Sequence, residues 1–138
     1  MFRLPQIVCL ICVTSISACS PAKDSKAAEQ AVAQFRKQMA SAAFADIYAG
    51  AAPEWRSSIS RSDADAFLGA VNKKLGGVKS SVQTGWRDNL TAGGHSMILQ
   101  YHTEFEGGGA DETFAIRLAG EGGQLAGYHI NSLAMMVK

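Results

Sequence analysis

The chain has 138 residues, of which 47% are hydrophobic and 18% are charged. This length and composition suit one domain with a substantial core and argue against disorder. The 13 Lys and Arg residues nearly balance the 12 Asp and Glu residues, so charge gives no reason to expect binding to nucleic acid or to an anionic membrane surface.

The first residues have the three parts of a secretory signal peptide. Arg3 supplies an early positive charge, an apolar run follows over residues 7–13, and small residues come next. The apolar run is shorter than the roughly 20 apolar residues that cross a bilayer. We therefore predict a cleaved targeting segment over residues 1–18.

The end of this segment, Ile16-Ser17-Ala18-Cys19, resembles the bacterial lipobox. The resemblance implies that Cys19 is lipidated, becomes the first residue of the mature chain and attaches it to a membrane. Residue 20 is Ser rather than the Asp that resembles an inner-membrane retention signal, which favours the outer membrane, facing the periplasm. An ordinary signal peptide that contains a cysteine is the alternative.

Cys9 and Cys12 have CxxC spacing, but no histidine or second cysteine pair lies nearby to complete a metal site. We interpret them as apolar filler of the targeting segment. Cys19 would then be the only cysteine of the mature chain, which leaves no disulfide to form. We expect no metal and no cofactor.

The mature chain is predicted to begin with a lipidated polar tether over residues 19–27, followed by a single domain over 28–138. From Ala28, apolar residues recur every three or four positions up to Ala42, which predicts a long helix with Arg36 directed away from its apolar face. A second helical stretch follows, with a break or a new start at Gly50 and Pro53. A third helix is predicted from an N-cap at Ser62 to the Gly76-Gly77 pair.

The second half of the chain changes to a pattern typical of strands. Glycine-rich turns separate four runs rich in aromatic and β-branched residues, over residues 78–88, 95–106, 112–119 and 124–137. Short connections imply antiparallel neighbours, so we predict a four-stranded meander. Alternation places Val82, Thr84 and Trp86 of the first strand on its apolar face.

Helices followed by such a sheet predict an α+β fold in which the long helix covers the apolar face. This order of elements resembles the nuclear transport factor 2-like superfamily, whose curved sheet wraps a long helix into a cone. The lipobox and the segments FADIYAGAAPEWRSSIS, KLGGV and ETFAIRLAGEGGQLAGYHINS resemble small bacterial lipoproteins of that superfamily. The resemblance covers residues 28–134 and implies a fold rather than an activity.

Aromatic residues and one carboxylate are the candidates for a ligand pocket inside the cone. They are Trp55, Trp86, Tyr101, Glu112 and Tyr128. Glu112 is the exceptional ionisable group on the apolar face, and burial would suit it to act as a general base. Such a role would require a second titratable group within hydrogen-bond reach.

The opposite, mixed face of the sheet is the candidate protein interface. Its candidate residues are Arg87, Gln100, His102, Arg117 and His129. His102 and His129 would be separated by the intervening strand, roughly 10 Å apart, which is too far to share a metal ion.

The sequence thus predicts a lipid-anchored envelope protein that acts without catalysis by binding a partner protein, or a second copy of itself through the sheet. The first alternative is a small-molecule binder that uses the aromatic interior, and the second is an enzyme with Glu112 as its base.

Overall fold

The structure, a computed structural model, describes residues 21–137. The predicted targeting segment over 1–18 and Cys19 lie outside these residues. The described part is an α+β domain with a four-stranded antiparallel sheet. In chain order its elements are α1 (Pro21–Ala40), α2 (Phe44–Gly50), α3 (Pro53–Ser58), α4 (Arg61–Leu75), β1 (Val78–Thr91), β2 (Gly94–Phe105), β3 (Gly108–Ala119), β4 (Gly122–Asn131) and α5 (Leu133–Met136).

Helix α1 begins at Pro21, seven residues before the predicted start. Proline is well tolerated in the first helical turn, where its missing N–H costs nothing, and Asp24 in that turn complements the helix dipole. Ala27 is 8% exposed, so this part of the chain is already packed on the domain. The prediction of a polar tether over 19–27 is therefore wrong from Pro21 onwards.

The remaining N-terminal helices begin and end close to the boundaries predicted from the sequence. Pro53 begins α3 as a new helix, and α4 ends at Gly76, whose φ of 70° favours glycine. The N-cap of α4 is Ser60, whose Oγ accepts a hydrogen bond from the Asp63 backbone N–H. The predicted cap, Ser62, lies inside the helix.

The strands run in the order β1-β2-β3-β4, each antiparallel to its neighbour, which confirms the predicted meander. The fourth strand ends earlier than predicted, and Leu133–Met136 forms α5 instead. Lys74 of α4 explains this ending, because its Nζ donates to the carbonyl oxygens of Met135 and Val137, each at 3.1 Å. These contacts hold α5 against α4, while α5 also packs on β3.

Strand β1 is exposed along almost its whole length because α1 packs against β2, β3 and β4. A register shift between Gln83 and Gly85 reverses the alternation within β1. Val82 therefore pairs with outward-facing His102, whereas Trp86 pairs with buried Leu99. The prediction that placed Val82 and Trp86 on one apolar face is wrong.

The core lies between α1, α4 and the inner face of β2, β3 and β4. Phe114, at its centre, is fully buried. Its ring lies 5.3 Å from that of Phe35 and 5.0 Å from that of Tyr128, measured between centroids. The aromatic residues of the inner face therefore fill most of the space under α1.

Gly107, in the β2–β3 turn, lies against the end of α4, where its N–H donates to the Leu75 carbonyl at 2.8 Å. A Cβ at this position would overlap the carbonyl oxygen of Lys74. We expect Gly107→Ala to lower the free energy of unfolding by about 2 kcal/mol because backbone must move to admit the methyl group. At Gly122 an added Cβ meets nothing within 4 Å, so Gly122→Ala is the matched control. Urea unfolding that shows equal stability for the two variants would contradict the close approach.

Candidate functional site

A buried carboxylate on the inner face of the sheet is the centre of the candidate site. Glu112 of β3 is 2% exposed and lies in register with Tyr101 of β2 and Ile130 of β4. A carboxylate removed from water is strongly destabilising unless it is paired and hydrogen-bonded. Its partners therefore decide what the site can do.

Three side chains donate hydrogen bonds to Glu112. The Tyr128 hydroxyl donates to Oε1 at 2.7 Å. The Thr103 hydroxyl and Arg36 Nη2 donate to Oε2 at 2.6 Å and 2.8 Å. The carboxylate is thus neutralised by one guanidinium and held in place by two hydroxyl groups.

Arg36 extends from α1 into the site, where its guanidinium contacts side chains of β1 and β2. Its Nη2 lies 2.9 Å from Ser81 Oγ and 3.2 Å from Thr103 Oγ1. Because the Thr103 hydroxyl hydrogen is given to Glu112, its oxygen accepts from Ser81 at 2.8 Å. The guanidinium also lies 5.4 Å from the centre of the Tyr101 ring, within reach of a cation–π interaction.

Tyr128 is a neutral donor in this network. Burial raises the pKa of its hydroxyl, and the charge and hydrogen bond of Glu112 raise it further. Burial also raises the pKa of Tyr101, with a further contribution from the charge of Glu29. Both phenols therefore stay protonated, and Tyr128 keeps its hydrogen directed at the carboxylate.

A cavity of about 260 Å³ lies beside this network, between the second half of α1, the end of α4 and the adjoining ends of β1 and β2. Its walls are mainly apolar. Its lining residues are Phe35, Arg36, Met39, Ala40, Val71, Asn72, Gly76, Gly77, Val78, Phe105, Glu112 and Tyr128. The cavity thus combines apolar walls with a buried ion pair and a tyrosine hydroxyl.

Glu112 and Tyr128 are the two predicted pocket residues that line this cavity; Trp55, Trp86 and Tyr101 are not among its lining residues. Trp55 is 6% exposed and packs in the core. Trp86 is 64% exposed and lies beside Pro21, at the other end of α1. The prediction of a single aromatic pocket formed by all five residues is therefore wrong.

Arg36 is the site residue that the sequence pattern assigned incorrectly. The pattern directs it away from the apolar face, whereas it reaches under the sheet to Glu112. It follows Val32 by four residues and precedes Met39 by three, so it lies at the border of the apolar face. A long side chain at such a border can place its charged end on either side. The signal for the inner side was Glu112, a carboxylate on the apolar face that needed a positively charged partner.

The predicted interface residues divide into two groups. Arg87, Gln100, His102 and His129 are exposed. Arg117 is half-buried, and its guanidinium donates to the Glu54 carboxylate of α3 and to the Gly93 carbonyl of the β1–β2 turn. It therefore joins parts of the fold together, and its assignment to a free interface is wrong.

His102 lies between two exposed carboxylates on the outer face of the sheet. Its Nδ1 is 2.7 Å from Asp111 Oδ1 and its Nε2 is 3.1 Å from Glu104 Oε1. Strand β3 separates it from His129, as predicted. Within residues 21–137, no group of three or more His, Cys, Asp or Glu side chains is arranged to hold a metal ion.

The hydrogen bond to Asp111, followed by the one to Glu104, raises the pKa of His102 above its ordinary value of 6.5. The charged histidine therefore favours the folded state below pH 6.5, and this contribution disappears as the pH rises through the folded-state pKa. We expect an NMR titration to place the His102 pKa above 6.5, and Asp111→Asn to lower it. Asp46→Asn, on α2, is the control and should leave this titration unchanged; an unchanged titration in Asp111→Asn would contradict the pairing.

Comparison with known proteins finds no matching family model and no matching curated protein. None of the helices in the described part of the chain has both the length and the apolar character required to cross a membrane.

Proposed function

We propose that this protein is a lipid-anchored envelope protein that binds a small, largely apolar molecule in the cavity beside Glu112. The observation that carries the proposal is the cavity itself, which places an ion pair and a hydroxyl group within apolar walls. Binding sites for small molecules commonly have this composition, with a few polar groups that orient the ligand. The volume of about 260 Å³ limits the ligand to roughly the size of a substituted aromatic ring.

The polar groups indicate the chemistry of the ligand. Arg36 makes all of its side-chain hydrogen bonds to described residues through Nη2, so the N–H groups on Nε and Nη1 remain able to donate. The charge of Arg36 is already balanced by Glu112 at 2.8 Å. We therefore propose an uncharged ligand with a hydrogen-bond acceptor, such as a carbonyl group, and an aromatic or aliphatic body.

Binding is favoured over catalysis by the contacts of Glu112. The second titratable group that catalysis requires is present, since Tyr128 and Arg36 both contact the carboxylate. However, both carboxylate oxygens already accept hydrogen bonds from the protein. Three of the roughly four acceptor positions of the carboxylate are thus filled by the protein, and Arg36 balances its charge, which suits a structural network better than a general base.

The binding proposal can be tested with acetophenone as a small aromatic ketone and benzoate as its charged counterpart. We expect acetophenone to shift the NMR signal of the Met39 methyl group, which lines the cavity, and benzoate to do so less. Val78 lines the cavity and is 45% exposed, whereas Val82 on the same strand is 66% exposed and is not among the lining residues. Val78→Trp should abolish the shift by filling the entrance, and Val82→Trp should preserve it. A shift that persists in Val78→Trp, or is absent from the parent protein, would contradict this use of the cavity.

A second candidate, binding of another protein chain, is favoured by the exposure of β1. This 14-residue strand forms one edge of the sheet, and Val82 is 66% exposed on its outward side. Exposed edge strands present unpaired backbone groups to which another strand can add. Sedimentation velocity should then show concentration-dependent dimers that Val82→Asp removes. A single monomeric species at all concentrations would argue against self-association through this edge.

The lipid anchor remains a proposal that rests on the lipobox resemblance, as does placement at the outer membrane. The long first helix and the antiparallel meander also support the proposed resemblance to lipoproteins of the nuclear transport factor 2-like superfamily. Cys19→Ser should move the full chain from the membrane fraction to the soluble fraction of the producing bacterium. Retention of Cys19→Ser in the membrane fraction would overturn the anchor.

A further inference from the structure

The end of the domain that carries the start of α1 also carries two large exposed apolar residues. Trp86 is 64% exposed and Leu90 is 79% exposed, both on β1 near the β1–β2 turn. Trp86 borders the same surface hollow as Pro21, Asp24 and Ser25 of α1. Trp86 and the start of α1 therefore share one surface, and Leu90 lies farther along the same strand toward the β1–β2 turn. We call this region the anchor-side surface.

Several charged or titratable groups near the anchor-side surface lie close to one another. His95 Nε2 lies 2.5 Å from Asp88 Oδ1, and His95 Nδ1 lies 4.0 Å from Asp24 Oδ2. Lys23 pairs with Glu121 of the β3–β4 turn at 2.8 Å. Pairing reduces the hydration energy that Lys23 and Glu121 lose near a surface of low polarity, whereas Asp24 and Asp88 place two carboxylates beside the single imidazole of His95.

The position of Cys19 decides what this surface faces, provided that the proposed lipid anchor is correct. Cys19 precedes Pro21, the first residue of α1, by two positions. Two residues span at most about 7 Å, so an acylated Cys19 would hold the beginning of α1 at the membrane surface. From Pro21 onwards the chain is helical, so these residues do not form a flexible tether that would let the domain rotate freely.

We propose that Trp86 and Leu90 insert into the interfacial layer of the bilayer that holds the Cys19 anchor. Tryptophan suits this layer because its ring is apolar while its N–H can still meet water or lipid carbonyl groups. The proposal rests on the lipid anchor but not on ligand binding. In this orientation the cavity would lie away from the membrane, because Arg36, which lines the cavity, is about 22 Å along the α1 axis from Pro21.

The experiment uses the full lipidated chain, purified from membranes and reconstituted in vesicles of phosphatidylethanolamine and phosphatidylglycerol. The chain contains two tryptophans, and Trp55 is buried with 6% exposure. Phospholipids brominated on their acyl chains quench tryptophan at contact. We expect them to quench a large part of the fluorescence of the parent protein, and Trp86→Phe to remove that quenching.

A matched control places tryptophan on the same strand but farther from the anchor. Val82→Trp combined with Trp86→Phe presents an exposed indole roughly 13 Å farther along β1. We expect brominated lipid to leave this indole unquenched and aqueous acrylamide to quench it. This contrast would show that membrane contact depends on position and not on exposure alone.

Each contrary result has a distinct meaning. Full-length protein that fails to float with the vesicles would overturn the lipid anchor and this inference together. Protein that floats but whose Trp86 is quenched by acrylamide and not by brominated lipid would overturn the inference alone. Trp86 that neither reagent reaches would show that a protein surface, such as a second copy of the chain, covers it instead of lipid. Acetophenone binding is measured independently, so none of these results bears on the cavity.

Discussion

Glu112→Ala is expected to lower the free energy of unfolding by about 3 kcal/mol, because it leaves the Arg36 charge without its partner inside the domain. The Glu112 side chain is 1% exposed and that of Arg36 is 19% exposed, so water can replace little of the lost interaction. The Thr103 and Tyr128 hydroxyls would also lose their acceptor. Urea denaturation followed by circular dichroism measures the effect.

The control for this variant is Glu104→Ala, which removes an exposed carboxylate from the adjacent strand. Its effect should stay within about 0.5 kcal/mol. A double-mutant cycle with Arg36→Met and Glu112→Leu should give a coupling free energy of about 1–3 kcal/mol. Equal losses in Glu112→Ala and Glu104→Ala would show that the ion pair does not stabilise the fold.

Phe114→Ala is expected to lower the free energy of unfolding by about 4 kcal/mol, the largest effect that we predict for a single side chain. The Phe114 ring is fully buried and contacts the rings of Phe35, Tyr101 and Tyr128. Its removal combines the loss of apolar burial with a void that packed neighbours on three sides can fill only in part. The same denaturation experiment measures it.

Leu90→Ala is the matched control, since Leu90 also lies on the sheet but is 79% exposed. We expect its effect on the isolated domain to stay within about 0.5 kcal/mol. Stability of Phe114→Ala similar to that of Leu90→Ala would contradict the position of Phe114 at the centre of the core. The comparison also separates the packed inner face from the exposed end of β1, where we propose membrane contact.

The sequence was sufficient to predict the elements whose signals are local. Glycine-rich turns indicated a meander because short connections permit only antiparallel neighbours, and Pro53 and Gly76 marked helix boundaries through their backbone preferences. Alternation also placed Glu112 among apolar residues, and the structure shows that it is buried. Each of these conclusions depends on residues close together in the chain.

Long-range contacts determine the features of the fold and the site that the sequence did not predict. The register shift in β1 turned Val82 outward; Gly85 at the shift is a residue type typical of bulges, but only the pairing with β2 shows which side of the sheet Val82 takes. Arg36 lies at the border of a helix face, where its long side chain could reach either side, and only the position of Glu112 across the sheet determines which. The cavity exists because α1, α4 and the strand ends leave a gap between them. Its volume depends on how packed elements meet, which no local pattern of residues specifies.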